Sequence, residues 1–297
     1  MIEVISQEIA IREGLNGPKT RFFLYPTGGY DLVSSKFAVS YRTSRGSAKY
    51  FVKISNSTKC STYLRREAEN IKVFLDRKTG HVPRIIADGY IGNRYYLVES
   101  FIDGHTLSSS STVSRAYGLL KPWLTSPSLK TPGKKLIPEE FIKRTEKNLK
   151  VASEFFRFDG ILQRMDRLSP DNEIQSSILH GDFWHGNILI DKNGDFHLID
   201  FTLSSQDEPP VDLVNLIADL DPRMLLREDL MRPYFQTILP DTASITFFAL
   251  YELTRKVALK IEVRKMLYEE CLLQDLNASM AEIREAGMVK LLLSRFQ

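Results

Sequence analysis

The 297-residue sequence has no long apolar run, only two cysteines and little net charge. No apolar stretch approaches the ~18–20 residues that a membrane-spanning helix requires, so we predict no membrane segment. The start, Met1-Ile-Glu-Val-Ile-Ser, lacks the basic segment and the apolar core of a secretory signal peptide. Cys60 and Cys271 are far apart in sequence, which favours free thiols in a reducing compartment. We therefore expect a cytoplasmic protein.

The charge balance and the composition narrow the class further. A formal net charge of +3, from 40 basic and 37 acidic residues, favours neither nucleic acid nor a membrane surface as a partner. Hydrophobic content of 43% and charged content of 26% are typical of a soluble globular protein. The length suits two lobes. The oligomeric state cannot be inferred from the sequence.

One stretch, residues 178–190, carries the most specific pattern in the chain, Ile-Leu-His-Gly-Asp-Phe-Trp-His-Gly-Asn-Ile-Leu-Ile. It contains His180-x-Asp182, then four residues, then Asn187, and Asp200 follows after a second apolar segment. Protein kinases use this order of residues to place a proton acceptor and two magnesium ligands around ATP. The pattern therefore predicts transfer of the terminal phosphoryl group of a nucleotide to an acceptor.

The segment after this loop reads as a β-hairpin. Residues 188–190 are apolar and include two β-branched isoleucines, Asp191-Lys-Asn-Gly194 is a strong turn signal, and residues 196–199 form the return strand. A hairpin brings its open ends together, so Asn187 and Asp200 should lie side by side.

These positions define the predicted catalytic residues. An amide oxygen and a carboxylate suit Mg²⁺, so we predict Asn187 and Asp200 as its protein ligands. Asp182, in the loop that enters the hairpin, is the predicted general base for an acceptor hydroxyl. His180 is expected to hold the loop, and His185 to line the loop or the substrate. The alternative is that these are ordinary turn residues.

A lysine and a glutamate upstream complete the pattern. Residues 48–54 read as a strand in which Lys53 stands among apolar side chains, and residues 61–78 read as a helix. Glu67 shares the apolar face of that helix, whereas Glu69 does not. We predict that Glu67 pairs with Lys53 and fixes it on the α- and β-phosphates; the alternative is a solvated carboxylate. The face is defined by Leu64, Ala68, Ile71 and Leu75.

Two further segments are candidates for nucleotide contacts. Gly28 and Gly29 form a tight loop whose backbone N–H groups could cover phosphates, although two glycines also mark many plain turns. Residues 85–99 read as a hairpin. The segment that follows it, from Glu99 through Phe101, is the candidate hinge that would hold the adenine or guanine of the nucleotide. The alternative is a strand followed by a turn.

Taken together, the chain resembles the aminoglycoside phosphotransferase and choline kinase family. The likeness rests on residues 180–189 and 199–201 and on Asp212-Leu213, with weaker matches around Lys53, Glu67 and the 98–104 exit.

This resemblance implies an α+β, two-lobed protein-kinase-like fold. A small antiparallel-sheet lobe would span residues 1–102 and a larger, mainly helical lobe residues 103–297. It also implies ATP or GTP as co-substrate, Mg²⁺, and a small-molecule acceptor such as a sugar, aminoglycoside or amino alcohol. Asp182 would be the base, Asn187 and Asp200 the metal ligands, and Lys53 the phosphate-binding cation.

Two sequence features differ from those of protein kinases. Asp200-Phe201 is not followed by glycine, and no Ala-Pro-Glu element is present, which argues against a Ser/Thr protein kinase. A catalytically silent nucleotide-binding protein remains a second alternative.

We predict that Asp212 caps its helix and braces the catalytic loop. We also predict a loop over residues 124–135, one long helix over residues 139–167, and helices from Ile245 to Phe296.

Overall fold

The computed structural model describes residues 8–9, 11–14, 21–24, 34–43, 46–77, 81–170, 174–209, 211–236, 242–270 and 273–294. Gly28, Gly29 and Cys271 lie outside these ranges. The chain divides into two compact units. The first comprises Met1–His105 with Leu189–Leu203, and the second comprises Thr106–Ile188 with Ser204–Gln297. The expected lobe boundary after Ile102 stays a prediction.

The first unit is built on a five-stranded antiparallel sheet and a long helix that packs on it. The bounds are β1 Arg21–Leu24, β2 Ser34–Thr43, β3 Gly46–Ser55, α1 Thr58–Asp76, β4 Ile85–Ile91 and β5 Arg94–Ser100. The strands lie in the order β1-β2-β3-β5-β4. Helix α1 packs against β3, β4 and β5.

Alternate side chains of β3 lie on opposite faces of the sheet. Val52 and Ile54 are buried and pack with Tyr96 and Val98 of β5 in one apolar cluster. The intervening residue, Lys53, therefore points to the other face of the sheet.

Helix α1 lies close to its predicted position. It begins after Ser57, whose hydroxyl accepts a hydrogen bond from the backbone N–H of Cys60. Glu67 is buried on its inner face and Glu69 is exposed, as predicted. Phe74, rather than the expected Leu75, completes the buried stripe.

The predicted hairpin after the catalytic loop is present. Strands β9 (Ile188–Asp191) and β10 (Phe196–Leu198) pair, and β6 (Gly104–Thr106) extends them to a three-stranded sheet. The turn closes through the Gly194 N–H, which donates to the Asp191 carbonyl, and Gly194 adopts a φ of 86° that favours glycine. Asp200, the predicted metal ligand, lies two residues after the end of β10.

The second unit combines a three-stranded sheet with eight helices among the described residues. The strands are β7 Lys130–Leu136, β8 Ile174–Leu179 and β11 Ser205–Glu208, in the sheet order β11-β8-β7. The helices are α2 Val113–Leu124, α3 Pro138–Ala152, α4 Ile161–Leu168, α5 Asp212–Leu220, α6 Glu228–Phe235, α7 Thr242–Glu269, α8 Leu276–Ala281 and α9 Arg284–Ser294. The core of this unit forms around the long helix α7, against which α3, α4 and α9 pack.

Two sequence-based predictions about this unit were wrong. The region expected to form one helix, residues 139–167, forms two helices. The first ends at Ala152, and the second begins after Gly160, whose φ of 79° lies in the left-handed region that favours glycine. The loop expected over residues 124–135 includes strand β7, which pairs with β8 despite its lysines.

The expected α+β fold class is confirmed. No helix among the described residues is long and apolar enough to cross a membrane.

Candidate active site

The catalytic loop follows β8 and is fixed by its own polar groups. His180 is fully buried, and its ring Nδ1 accepts from the backbone N–H of Asp182 at 3.3 Å. Its carbonyl oxygen accepts from the Ser204 hydroxyl at 2.8 Å. His180 thus has the loop-holding position that the sequence predicted, with no need for an acid–base role.

The carboxylate of Asp182 is held on both of its oxygens. The side-chain amide of Asn187 donates to the Asp182 carbonyl oxygen at 2.9 Å and to Oδ2 at 3.2 Å. The Lys256 ammonium donates to Oδ1 at 2.9 Å. Because its nitrogen is used in this way, the Asn187 amide keeps its oxygen as the atom with which it can ligate a cation.

Asp212 binds the catalytic loop rather than its own helix, so the predicted cap was wrong. It is the first residue of α5, and Val211 precedes it without a side-chain cap. Its carboxylate accepts from the backbone N–H groups of His180 at 2.8 Å and Gly181 at 2.9 Å. Burial raises the pKa of Asp212 to about 7, although both N–H groups oppose this. The bracing part of the prediction is confirmed.

The second half of the loop is held by an acidic residue on α5. Asp219 accepts from the His185 backbone N–H at 3.0 Å and contacts the His185 ring Nδ1 at 2.5 Å. Arg284 reaches the other Asp219 oxygen at 2.8 Å. Burial alone would raise the pKa of Asp219, but its hydrogen bonds to His185 and Arg284 lower it.

Trp184 and Gly186 are matched within the loop. A Cβ atom on Gly186 would lie 2.4 Å from the Trp184 ring. A larger residue at position 186 would therefore require this ring, which is 37% exposed, to move. The loop can present an aromatic surface there because residue 186 has no side chain.

In the first unit, Lys53 lies between two carboxylates. Its ammonium is 2.5 Å from Glu67 Oε1 and 3.2 Å from Glu99 Oε2, and all three side chains are buried. Burial alone would lower the pKa of Lys53, but Glu67, Glu99 and Asp200 raise it. The predicted Lys53–Glu67 pair is present, and the lysine is charged at neutral pH.

Glu67 also connects this pair to the segment that carries Asp200. Its Oε1 accepts from the Phe201 backbone N–H and its Oε2 from the Thr202 hydroxyl, both at 3.3 Å. The Thr202 hydroxyl also lies 2.8 Å from Asp200 Oδ1. Asp200 has a φ of 65°, an uncommon value for a residue other than glycine, and such backbone often occurs at functional sites.

The residues of the candidate hinge have different surroundings. The Glu99 side chain is directed to Lys53, and its Oε1 has no hydrogen-bond partner within the described ranges. The ring of Phe101, just after β5, lies 5.1 Å from the Lys49 ammonium. Their predicted contacts with the nucleotide stay predictions.

The structure thus assembles two groups of predicted residues, each inside one unit. Lys53, Glu67 and Asp200 belong to the first unit, and Asp182 and Asn187 to the second. That Asn187 and Asp200 share one cation stays a prediction. Over the described ranges, no three His, Cys, Asp or Glu side chains form a cluster able to hold a metal by themselves. Mg²⁺ often binds through only one or two carboxylates together with substrate phosphates.

A family model described as the phosphotransferase enzyme family matches residues 33–248, which is most of the chain. The protein belongs to this family. No curated protein sequence matches the chain with statistical support. The resemblance predicted from the loop and hairpin is confirmed, as is the enzyme class, a phosphotransferase with an alcohol group as acceptor.

Solved structures share the fold of this phosphotransferase. The choline kinase LicA from Streptococcus pneumoniae has a TM-score of 0.64 at 17% identity, with 99% of each chain covered. An aminoglycoside phosphotransferase, APH(4)-Ia, solved with ADP and hygromycin B, has a TM-score of 0.61 at 12% identity, with 97% of each chain covered. A fructosamine-3-kinase homologue from Haemophilus somnus has a TM-score of 0.60 at 14% identity, covering 97% of this chain and 96% of that one.

Several residues of the phosphotransferase site were missed from the sequence. Lys256 was not singled out, although a lysine inside the apolar segment of α7 was a signal of buried charge. Thr202, which bridges Glu67 and Asp200, gave no signal. The sequence did not single out Asp219, which holds His185, or Glu252, which is fully buried against Arg255.

Proposed function

We propose that this phosphotransferase is a nucleotide-dependent small-molecule kinase that transfers the terminal phosphoryl group of ATP or GTP to a hydroxyl. The observation that carries the proposal is the Asp182 carboxylate, held in a family-type loop by donors to both of its oxygens. A base fixed in this way can accept the proton of a bound hydroxyl.

The bond changes follow from this assignment. The acceptor oxygen forms a bond to the terminal phosphorus, and the bond between that phosphorus and the bridging oxygen breaks. The nucleoside diphosphate leaves, and the acceptor proton moves to Asp182. Lys53, fixed by Glu67, neutralises phosphate charge during the transfer.

The chemistry of Asp200 and Asn187 supports a role for Mg²⁺. A carboxylate and an amide oxygen are hard oxygen ligands of the kind that Mg²⁺ prefers, and this ion often binds through few protein groups together with substrate phosphates. We propose that Asp200 and the amide oxygen of Asn187 hold Mg²⁺, which would neutralise charge on the transferring phosphoryl group.

The charges in the second unit bear on the acceptor. Four carboxylates around and behind the catalytic loop each contact a basic side chain. We therefore expect these four carboxylates to contribute little to the binding of a cationic acceptor. The pairs are Asp182–Lys256, Asp219–Arg284, Glu252–Arg255 and Glu285–Lys260.

The test is an acceptor screen with ATP and GTP that measures nucleoside diphosphate release, followed by mass spectrometry of the product. Asp182→Asn should lower turnover at least ~10²-fold while nucleotide affinity, measured by calorimetry, changes little. Asp195→Asn, in the exposed hairpin turn, is the matched control and should keep full activity.

Two outcomes would contradict the proposal. Undiminished turnover in Asp182→Asn would reject this residue as the base. Nucleotide binding without turnover across neutral, cationic and acidic acceptors would favour the catalytically silent alternative.

A further inference from the structure

Helix α1 holds the backbone of Phe201, the residue that follows Asp200, from two sides. The side-chain amide of Asn70 donates to the Phe201 carbonyl oxygen at 2.8 Å, and Glu67 Oε1 accepts from the Phe201 backbone N–H at 3.3 Å. Because Glu67 and Asn70 are three positions apart, they lie on the same side of the helix. The two side chains thus bind both backbone polar groups of one residue.

The ring of Phe201 adds a third contact with the same helix. It is fully buried and packs on the ring of Phe74, which is also fully buried, with 5.0 Å between the ring centroids. Phe74 lies four positions after Asn70, one turn further along the same face. Phe201 is therefore fixed to α1 by its N–H, its carbonyl and its side chain.

The strand before Asp200 is fixed by His81, in the segment between α1 and β4. The His81 carbonyl accepts from the Leu198 backbone N–H at 2.7 Å, and its ring Nδ1 lies 2.7 Å from the Phe196 carbonyl oxygen. The rings of His81 and Phe196 also stack, with their centroids 3.9 Å apart. The chain is thus anchored at Leu198 and again at Phe201, and Asp200 lies in the short span between them.

This anchoring bears on the backbone and the carboxylate of Asp200. Its φ of 65° is unfavourable for a residue other than glycine and persists only where the surrounding structure enforces it. Glu67 holds the peptide between Asp200 and Phe201, and Asn70 holds the next one, between Phe201 and Thr202. Since the Thr202 hydroxyl lies 2.8 Å from Asp200 Oδ1, the orientation of Thr202 affects the carboxylate directly.

We propose that Asn70 is a positioning residue for the phosphoryl transfer: by holding the Phe201 carbonyl, it sets the orientation of Thr202 and, through it, that of the Asp200 carboxylate. This inference rests on the proposed function, in which Asp200 is a Mg²⁺ ligand. Groups that orient a metal ligand are typically worth ~10- to 100-fold in metal affinity.

An asparagine that only stabilised helix α1 would behave differently. Its loss would lower the melting temperature, and it would change the affinity for a nucleotide equally with and without Mg²⁺. A residue that orients Asp200 must instead change the part of the nucleotide affinity that depends on Mg²⁺.

The experiment compares Asn70→Leu, Asn70→Gln and Glu69→Ala by calorimetry with ATP, once with saturating Mg²⁺ and once without metal. Leucine has nearly the shape of asparagine and a higher helix propensity, but it donates no hydrogen bond. The gain in ATP affinity on adding Mg²⁺ should be about 10-fold smaller in Asn70→Leu than in the unchanged protein, at equal affinity without metal. Asn70→Gln, which keeps an amide donor, should recover part of the gain. Glu69→Ala, the control at the exposed neighbouring position, should keep all of it.

Hydrogen exchange provides a readout that needs neither Mg²⁺ nor an acceptor. In Asn70→Leu the Phe201 backbone amide should exchange about 5-fold faster, as expected when one hydrogen bond that holds the segment is lost. The Leu198 amide, held by His81, should keep its exchange rate. If Asn70→Leu unfolds, Asn70→Ser, which leaves room for water at the Phe201 carbonyl, replaces it in both measurements.

The outcomes separate this inference from the proposed function. If Mg²⁺ strengthens ATP binding to the unchanged protein and to Asn70→Leu alike, the inference is overturned while the proposed metal site stands. An equal loss in Glu69→Ala, or an unchanged exchange rate of the Phe201 amide in Asn70→Leu, also overturns it. If Mg²⁺ leaves ATP binding to the unchanged protein as it is, the proposed metal site fails, and the role of Asn70 fails with it.

Discussion

Because Lys53 has two buried carboxylate partners, we predict that losing one costs far less stability than losing both. Removing the partner of a buried charge usually costs ~3–5 kcal/mol, since the other charge is left unpaired. In Glu67→Gln the Glu99 carboxylate remains 3.2 Å from the ammonium, and in Glu99→Gln the Glu67 carboxylate remains at 2.5 Å. Each single variant should therefore lose about 1.5 kcal/mol, the lower end of the range for one hydrogen bond to a charged group.

The double variant should be disproportionately unstable. With both carboxylates replaced, the Lys53 ammonium stays buried without either ion pair, and the cost should reach ~4–5 kcal/mol. The excess over the sum of the single variants should be at least ~1 kcal/mol, as expected for residues that share a partner. The assay is the free energy of unfolding from urea titrations, with circular dichroism and fluorescence as independent probes.

The same helix provides a control for this double-mutant cycle. Glu69 is exposed and lies 3.5 Å from Arg65, so Glu69→Gln should change stability by less than ~0.5 kcal/mol. Strict additivity of the two buried variants would refute the reasoning, because it would mean that the carboxylates stabilise Lys53 independently. A full ~3–5 kcal/mol loss in either single variant would also refute it.

The remaining predictions concern the pH dependence of stability and the catalytic loop. Burial would raise the pKa of Glu285, but the Lys260 and Lys256 ammonium groups lower it from 4.5 to about 2. Such a carboxylate stabilises the fold above pH 4.5 and loses this effect as the pH falls through about 2. The deficit of Glu285→Gln, up to about 3 kcal/mol at pH 7, should thus vanish near pH 2 in urea titrations, and a constant deficit would contradict this. Gly186→Ala should displace the Trp184 ring and lower kcat with little change in melting temperature; unaltered tryptophan fluorescence and turnover would argue against this packing.

The parts of the site that the sequence predicted are those set by local rules. The Asn-Gly turn fixes the hairpin after the catalytic loop, because few residues accept its backbone geometry. Helical periodicity was enough to place Glu67 on the buried face of α1 and Glu69 in solvent. The Lys53–Glu67 pair was predictable as well, because a buried lysine requires an oppositely charged partner and Glu67 lies on the buried face of the next element.

The parts that the sequence did not predict depend on contacts between distant segments. Lys256 lies 74 positions after Asp182, and no local pattern relates the two residues. Asp212 was expected to cap its own helix, but its carboxylate instead accepts hydrogen bonds from two buried N–H groups of the catalytic loop. Segment Leu189–Leu203 belongs to the first unit although it follows 83 residues of the second, and chain order alone gives no sign of this.

The two groups of charged residues differ in a way that suits their proposed tasks. Around Lys53, the carboxylates of Glu67, Glu99 and Asp200 all raise the pKa of one ammonium, so the lysine keeps its charge. Around Asp182, a lysine and an amide satisfy the carboxylate, so the base is restrained before any substrate binds. A phosphate-binding lysine benefits from a permanent charge held in one place, whereas a general base benefits from a fixed orientation.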